Sequence, residues 1–159
     1  MLAAVRRREL VTTMPTPTVA DADALATAAH YGQLDKAGWP YIEHPRAVAR
    51  MLAEHGDHAV MAGLLHDVVE DTTVTLDDLR AAGYPPEVVA AVDAVSRRPG
   101  ETYMDMIRRA AADPLGRLVK LADNASNSDP ARLALLPDEE ADRLRRKYAR
   151  ARAVLLGEG

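Results

Sequence analysis

His66 and Asp67 stand back to back inside the run GLLHDVVED, two metal-binding side chains in an otherwise apolar stretch. Imidazoles and carboxylates are costly to bury unless they are paired or coordinated. The neighbours Met61, Leu64, Leu65, Val68 and Val69 are those of a buried helix, so His66, Asp67, Glu70 and Asp71 need a use there. At helical spacing these four fall at i, i+1, i+4 and i+5 and share one broad stripe. His66 and Asp67 could jointly hold a cation, with Glu70 and Asp71 one turn along facing a bound water. The plainer alternative is a solvated acidic helix end with a hydrogen-bonded core histidine, and the flanking leucines and valines count against it.

One helix cannot fill a metal's coordination sphere. Asp123 lies in a second apolar run, RLVKLADNASN, with Lys120 three residues before it and Asn127 four after, all on one face. Taken alone, this trio reads equally well as a Lys–Asp pair beside a polar helix end. His30 sits near the end of the first long helix, where a lone histidine is more often structural than a ligand. There are no cysteines, so disulfides, zinc–thiolate sites and thiol nucleophiles are excluded, and any metal must be held by His, Asp or Glu.

The elements that must carry these residues read as helices throughout. The 159 residues fit one domain of ordinary apolar share (48%), built from Leu, Val, Ala and Met, with no Phe and one Trp. A Pro/Thr-rich lead-in over 1–17 precedes a folded unit over 18–159. Thr18 and Asp21 form a capping box that opens the first helix. LDKAGWPY is a loop, Pro45 lies in the first turn of a helix ending near Gly56, and a buried helix follows over about 59–70. Thr75, Pro86 and Asp113-Pro114 mark further starts, with helices at about 101–112, 115–125 and 137–156. No alternating strand pattern appears, so the expectation is all-α, a single compact bundle of about 7–9 helices. A net charge of −4 gives no basic field for nucleic acid. No stretch is apolar enough to span a membrane, and the start has no secretory signal, which makes the cytoplasm the expected location.

Four ordered segments resemble the HD-domain phosphohydrolases, and more narrowly the hydrolase domain of the Rel/Spo homologues and the small stand-alone alarmone hydrolases. They are His30 to Gln33, Gly38 to Pro45, Leu64 to Asp71, and Lys120 to Asn127. RRPGETYMDMI at 97–107 is similar too. The resemblance implies one divalent cation, typically Mn2+, held by His30, His66, Asp67 and Asp123. It gives Glu70 and Asp71 the handling of the attacking water and places Asn127 near the nucleotide sugar. It leaves His44 a structural role in its loop. The implied substrate is a guanosine nucleotide bearing a 3′-pyrophosphate, (p)ppGpp, with Lys36, Lys120, Arg97 and Arg98 available for its phosphates. A chain of this length, matched to the hydrolase domain alone, is expected only to degrade it.

The chain departs from the family pattern at Asp35, where an Arg is usual, and at Asn124, Ser126 and Asp129, where basic, bulky and basic residues are usual. These positions are expected around the nucleotide rather than the metal. Two other readings therefore stay open: a hydrolase of another nucleotide, such as a 5′-nucleotidase, and a non-catalytic nucleotide-binding module. The intact water-activating pair counts against the second.

Overall fold

The structure, a computed structural model, describes residues 13–158. The expected lead-in over 1–17 lies mostly outside them, and residues 13–17 carry no regular structure. Apart from one β-bridge between Leu34 and Pro40, the regular structure among the described residues is helical. The helices are α1 (Val19–Ala29), α2 (Glu43–Met51), α3 (Asp57–Leu65), α4 (Val68–Asp71), α5 (Leu76–Ala81), α6 (Pro86–Val95), α7 (Tyr103–Ala112), α8 (Pro114–Asn127), α9 (Pro130–Leu133) and α10 (Asp138–Leu155). A 3-10 turn, Ala53–His55, closes α2 ahead of Gly56. The all-α class is as expected.

Local chemistry accounts for most boundaries. Thr18 and Asp21 form the reciprocal capping box of α1, and Thr75 with Asp78 does the same for α5. Asp113 caps α8 through Gly116 N–H (2.6 Å), and Pro114 takes the first helical position, where a missing N–H costs nothing.

Helix α3 is central and packs against α1, α2, α6 and α8, burying Ala59, Met61, Ala62, Gly63, Leu64 and Leu65. Helix α2 comes very close at Gly63. A Cβ there would lie 3.0 Å from Leu52 Cδ1 and 3.1 Å from Ala49 Cα. An alanine there would require α2 to give by a few tenths of an ångström.

One expected helix is interrupted. The run 59–70 breaks after Leu65, with His66 and Asp67 between α3 and α4. His66 Nδ1 donates to Gly63 O (2.6 Å), the carbonyl a continuous helix would offer to the Asp67 amide. A side chain that enters the backbone ladder in this way bends the helix. The HD pair therefore sits at a bend rather than on a straight stripe.

Candidate metal centre and cleft

The bend turns His66 and Asp67 toward residues delivered by α2 and α8. The Nδ1 proton of His66 is committed to Gly63 O, so Nε2 is the nitrogen turned toward the carboxylates. Nε2 is buried and takes no hydrogen bond. It lies 3.0 Å from Asp67 Oδ2 and 3.5 Å from Asp123 Oδ1. His44 Nε2 lies 2.9 Å from the same Asp123 oxygen and 3.9 Å from the same Asp67 oxygen. Two imidazole nitrogens and two carboxylate oxygens thus converge on one small volume.

His44, read from the sequence as structural, stands beside the convergence and holds Asp123 through its Nε2. His30, expected as a ligand, donates through Nδ1 to Gln33 Oε1 (2.9 Å) and packs on Tyr41 with ring centroids 5.0 Å apart, which leaves its Nε2 buried without a hydrogen-bond partner, as in His66.

The donor set fits a divalent cation. Buried imidazole nitrogens without hydrogen-bond partners, on His66 and His30, together with two carboxylates and no sulfur, suit Mn, Fe, Co or Zn. The surrounding contacts orient each donor. Tyr41 donates to Asp67 Oδ2 (2.5 Å), Lys120 Nζ to Asp123 Oδ2 (2.7 Å), and Asn127 Nδ2 to Asp123 Oδ1 (3.0 Å). His44 Nδ1 faces Arg132 Nη1 (3.0 Å) and Ser126 Oγ (3.2 Å). A guanidinium can only donate, so without a cation Nδ1 accepts and Nε2–H donates to Asp123.

Charge balance holds this cluster. Burial pushes the Asp123 carboxyl up, but Lys120, His44 and His66 outweigh it and hold the group well below the usual carboxylate range. Burial likewise pulls His66 down, and Asp67 with Asp123 raise it well above an ordinary histidine. Such strongly perturbed, mutually dependent groups mark functional sites more often than structural ones.

Glu70 and Asp71 stand one turn beyond, and with Asp67 they form a second acidic group. Glu70 Oε1 accepts from the Arg97 backbone N–H (2.9 Å), which ties it to the 96–102 loop. The backbone carbonyl of Asp71 accepts from Gln33 Nε2 (3.0 Å). Partial burial, then repulsion from Asp67 and Glu70, push the Asp71 carboxyl up to about 6, a value suited to a general base near neutrality.

These groups open into a cleft of about 310 Å3, lined also by Arg97, Lys120, Lys147, Tyr103 and Tyr148. A wider outer recess of about 730 Å3 adjoins it and shares Glu70, Arg97 and Tyr103.

Of the expected substrate-binding residues, Arg97, Lys120 and Asn127 line the cleft. Lys36 does not: its ammonium pairs with Glu140 on α10 at 2.7 Å. Arg98 lines only the outer recess and pairs with Asp93 at 3.2 Å. The departures from the family pattern also have local roles. Asp35 Oδ1 accepts from Ala37 and Trp39 N–H, Asp129 caps α9, and Asn124 accepts from Tyr103. Ser126, expected near the nucleotide, instead touches His44. Sequence reasoning missed Tyr41, Tyr103, Lys147 and Tyr148 as lining residues; for Tyr41 the signal was present, three residues from His44 in one motif.

Residues 22–146 match the HD-domain family model, so the chain belongs to the HD-domain family, the class of metal-dependent hydrolase to which its motifs pointed. The guanosine-3′,5′-bis(diphosphate) 3′-pyrophosphohydrolase of Haemophilus influenzae is 40% identical over 116 residues, covering 65% of this chain and 17% of that protein. The probable GTP pyrophosphokinase of Mycobacterium leprae is 39% identical over 132 residues, 76% of this chain and 16% of the relative. The chain therefore spans under a fifth of the length of these relatives, some of which are named for synthesis and others for hydrolysis. A solved structure described as a metazoan ortholog of SpoT that hydrolyzes ppGpp superposes with a TM-score of 0.73 at 27% identity. That match covers 92% of this chain and 90% of the neighbour.

Proposed function

We propose that the chain is a metal-dependent guanosine 3′,5′-bis(diphosphate) 3′-pyrophosphohydrolase acting in the cytoplasm, with His30, His66, Asp67 and Asp123 as ligands of one divalent cation, Mn2+ for preference, and His44 positioning Asp123. The observation that carries this reading is the likeness to the metazoan ppGpp hydrolase over nearly the whole of both chains. Bound there, the cation would polarise the scissile phosphoryl group and acidify a water. Glu70 and Asp71 orient that water, and Asp71, with its raised carboxyl, takes the proton. Water adds to the phosphorus carried on the ribose 3′-oxygen, the bond to that oxygen breaks, and pyrophosphate leaves with GDP or GTP as the other product. Asn127 serves the sugar, while Arg97 and Lys120 offset phosphate charge.

Manganese-loaded protein is expected to release pyrophosphate from ppGpp and no phosphate from mononucleotides. Phosphate release from mononucleotides alone would instead establish a 5′-nucleotidase-like hydrolase. Glu70→Gln is expected to keep its metal and lose turnover by about 100-fold or more.

A further inference from the structure

The cationic wall of the cleft contains a lysine without a counter-ion. Lys120 is committed to Asp123. Lys147, on α10, lines the same cleft half-buried, and its ammonium stands 4.2 Å over the Tyr103 ring and 5.7 Å from the Tyr148 ring. It takes part in none of the ion pairs among the described residues. Burial, then repulsion from Lys120, Arg143 and Arg97, push its pKa below that of an ordinary lysine. A contact with an aromatic face offsets such crowding only in part. Arg97 lies within electrostatic reach. Its backbone N–H and Nε are used by Glu70 and Glu101, and its terminal nitrogens take no partner among the described residues. Two unspent cations therefore line the cleft that also holds the candidate metal donors.

We propose that Lys147, together with Arg97, forms a second anion subsite that takes the outer phosphate of a substrate diphosphate, so that the cleft selects pyrophosphoryl over monophosphoryl groups. This rests on reading the cleft as a phosphohydrolase site and adds to it the residue that counts phosphates. The acids that line the cleft repel an anion held by the metal alone, whereas a diphosphate long enough to reach Lys147 offsets that repulsion with charge-assisted hydrogen bonds. Tyr103 and Tyr148 stiffen the ammonium's position, which limits the entropy lost on binding.

Titration calorimetry of the purified full chain with inorganic pyrophosphate and with orthophosphate, first without divalent metal and then with manganese, tests this. The parent is expected to bind pyrophosphate at least about tenfold tighter than orthophosphate. Lys147→Met, which keeps the stem on Tyr103, is expected to lose about tenfold for pyrophosphate and under twofold for orthophosphate, with metal content unchanged. Lys147→Arg restores most of the loss, and Lys147→Gln serves if the Met variant does not fold. Equal pyrophosphate affinity in parent and variant, or equal losses for both anions, overturns the subsite. Lys147-dependent pyrophosphate binding in a protein that does not turn over ppGpp overturns the proposed substrate and leaves the subsite standing. Turnover of ppGpp with KM unmoved by Lys147→Met overturns the subsite alone.

Discussion

Replacing Lys120 by Met tests how the charge of Asp123 is balanced. The ammonium lies 2.7 Å from Asp123 Oδ2, and the two side chains are only 11% and 5% exposed. Burial pulls Lys120 down, but Asp123 more than compensates and keeps the lysine above its ordinary range. Methionine preserves the stem, so packing changes little while the counter-charge disappears. Removing one partner of a buried pair costs about 3–5 kcal/mol, because the remaining charge stays desolvated. Against a total stability of about 5–15 kcal/mol, that is a large fraction. For a domain of this size it corresponds to a fall in Tm of about 6–20 °C. A divalent cation held by Asp123 would supply the missing charge, so manganese is expected to close at least half of the gap between variant and parent. The assay is thermal unfolding followed by circular dichroism, with chelator and with saturating manganese. A metal-free loss below about 2 °C, or a gap that manganese leaves unchanged, would refute the reasoning.

His30→Ala is expected to weaken manganese binding at least about 100-fold, whereas His44→Ala, which removes a hydrogen bond to Asp123 rather than a ligand, weakens it about 10-fold; metal content after gel filtration reads the difference. The reverse result would put His44 in the ligand set instead. Asp71 holds its proton more tightly folded than unfolded, with a carboxyl at about 6 against an ordinary 3.8, so the stability it favours is present at low pH and lost as pH rises through 6. Metal-free Asp71→Asn should therefore melt above the parent beyond pH 6 and match it below about pH 4, and a constant difference across that range would count against the assignment.

Helix boundaries were legible in the sequence wherever a local side chain sets them. Thr18 with Asp21, Thr75 with Asp78, and Pro114 after Asp113 act within a single turn, so their spacing suffices. The bend at His66 was not legible, because an imidazole that takes Gly63 O leaves no trace in apolar periodicity. His44 shows the same limit at longer range: it stands in a motif, and only the packing of α2 on α8 brings it to Asp123, 79 residues away. Lys147 lies among the arginines of α10 and reads from the sequence as part of a solvated face. Its contact with Tyr103 of α7 depends on how two helices pack, which no pattern within α10 encodes.

Gly63 connects the packing of this fold to its chemistry. Its missing Cβ lets α2 approach α3 closely at Ala49 and Leu52, and α2 is the helix that carries His44. The same residue's carbonyl holds the Nδ1 proton of His66 and so turns Nε2 toward Asp67 and Asp123. His44 and His66 consequently meet with ring centroids 5.3 Å apart, a separation that depends on both effects. A side chain at 63 would meet Leu52 and Ala49 on α2, so that neighbours on the helix carrying His44 would have to give by a few tenths of an ångström even with the carbonyl bond to His66 intact. One residue thus couples the packing of α2 to the orientation of His66.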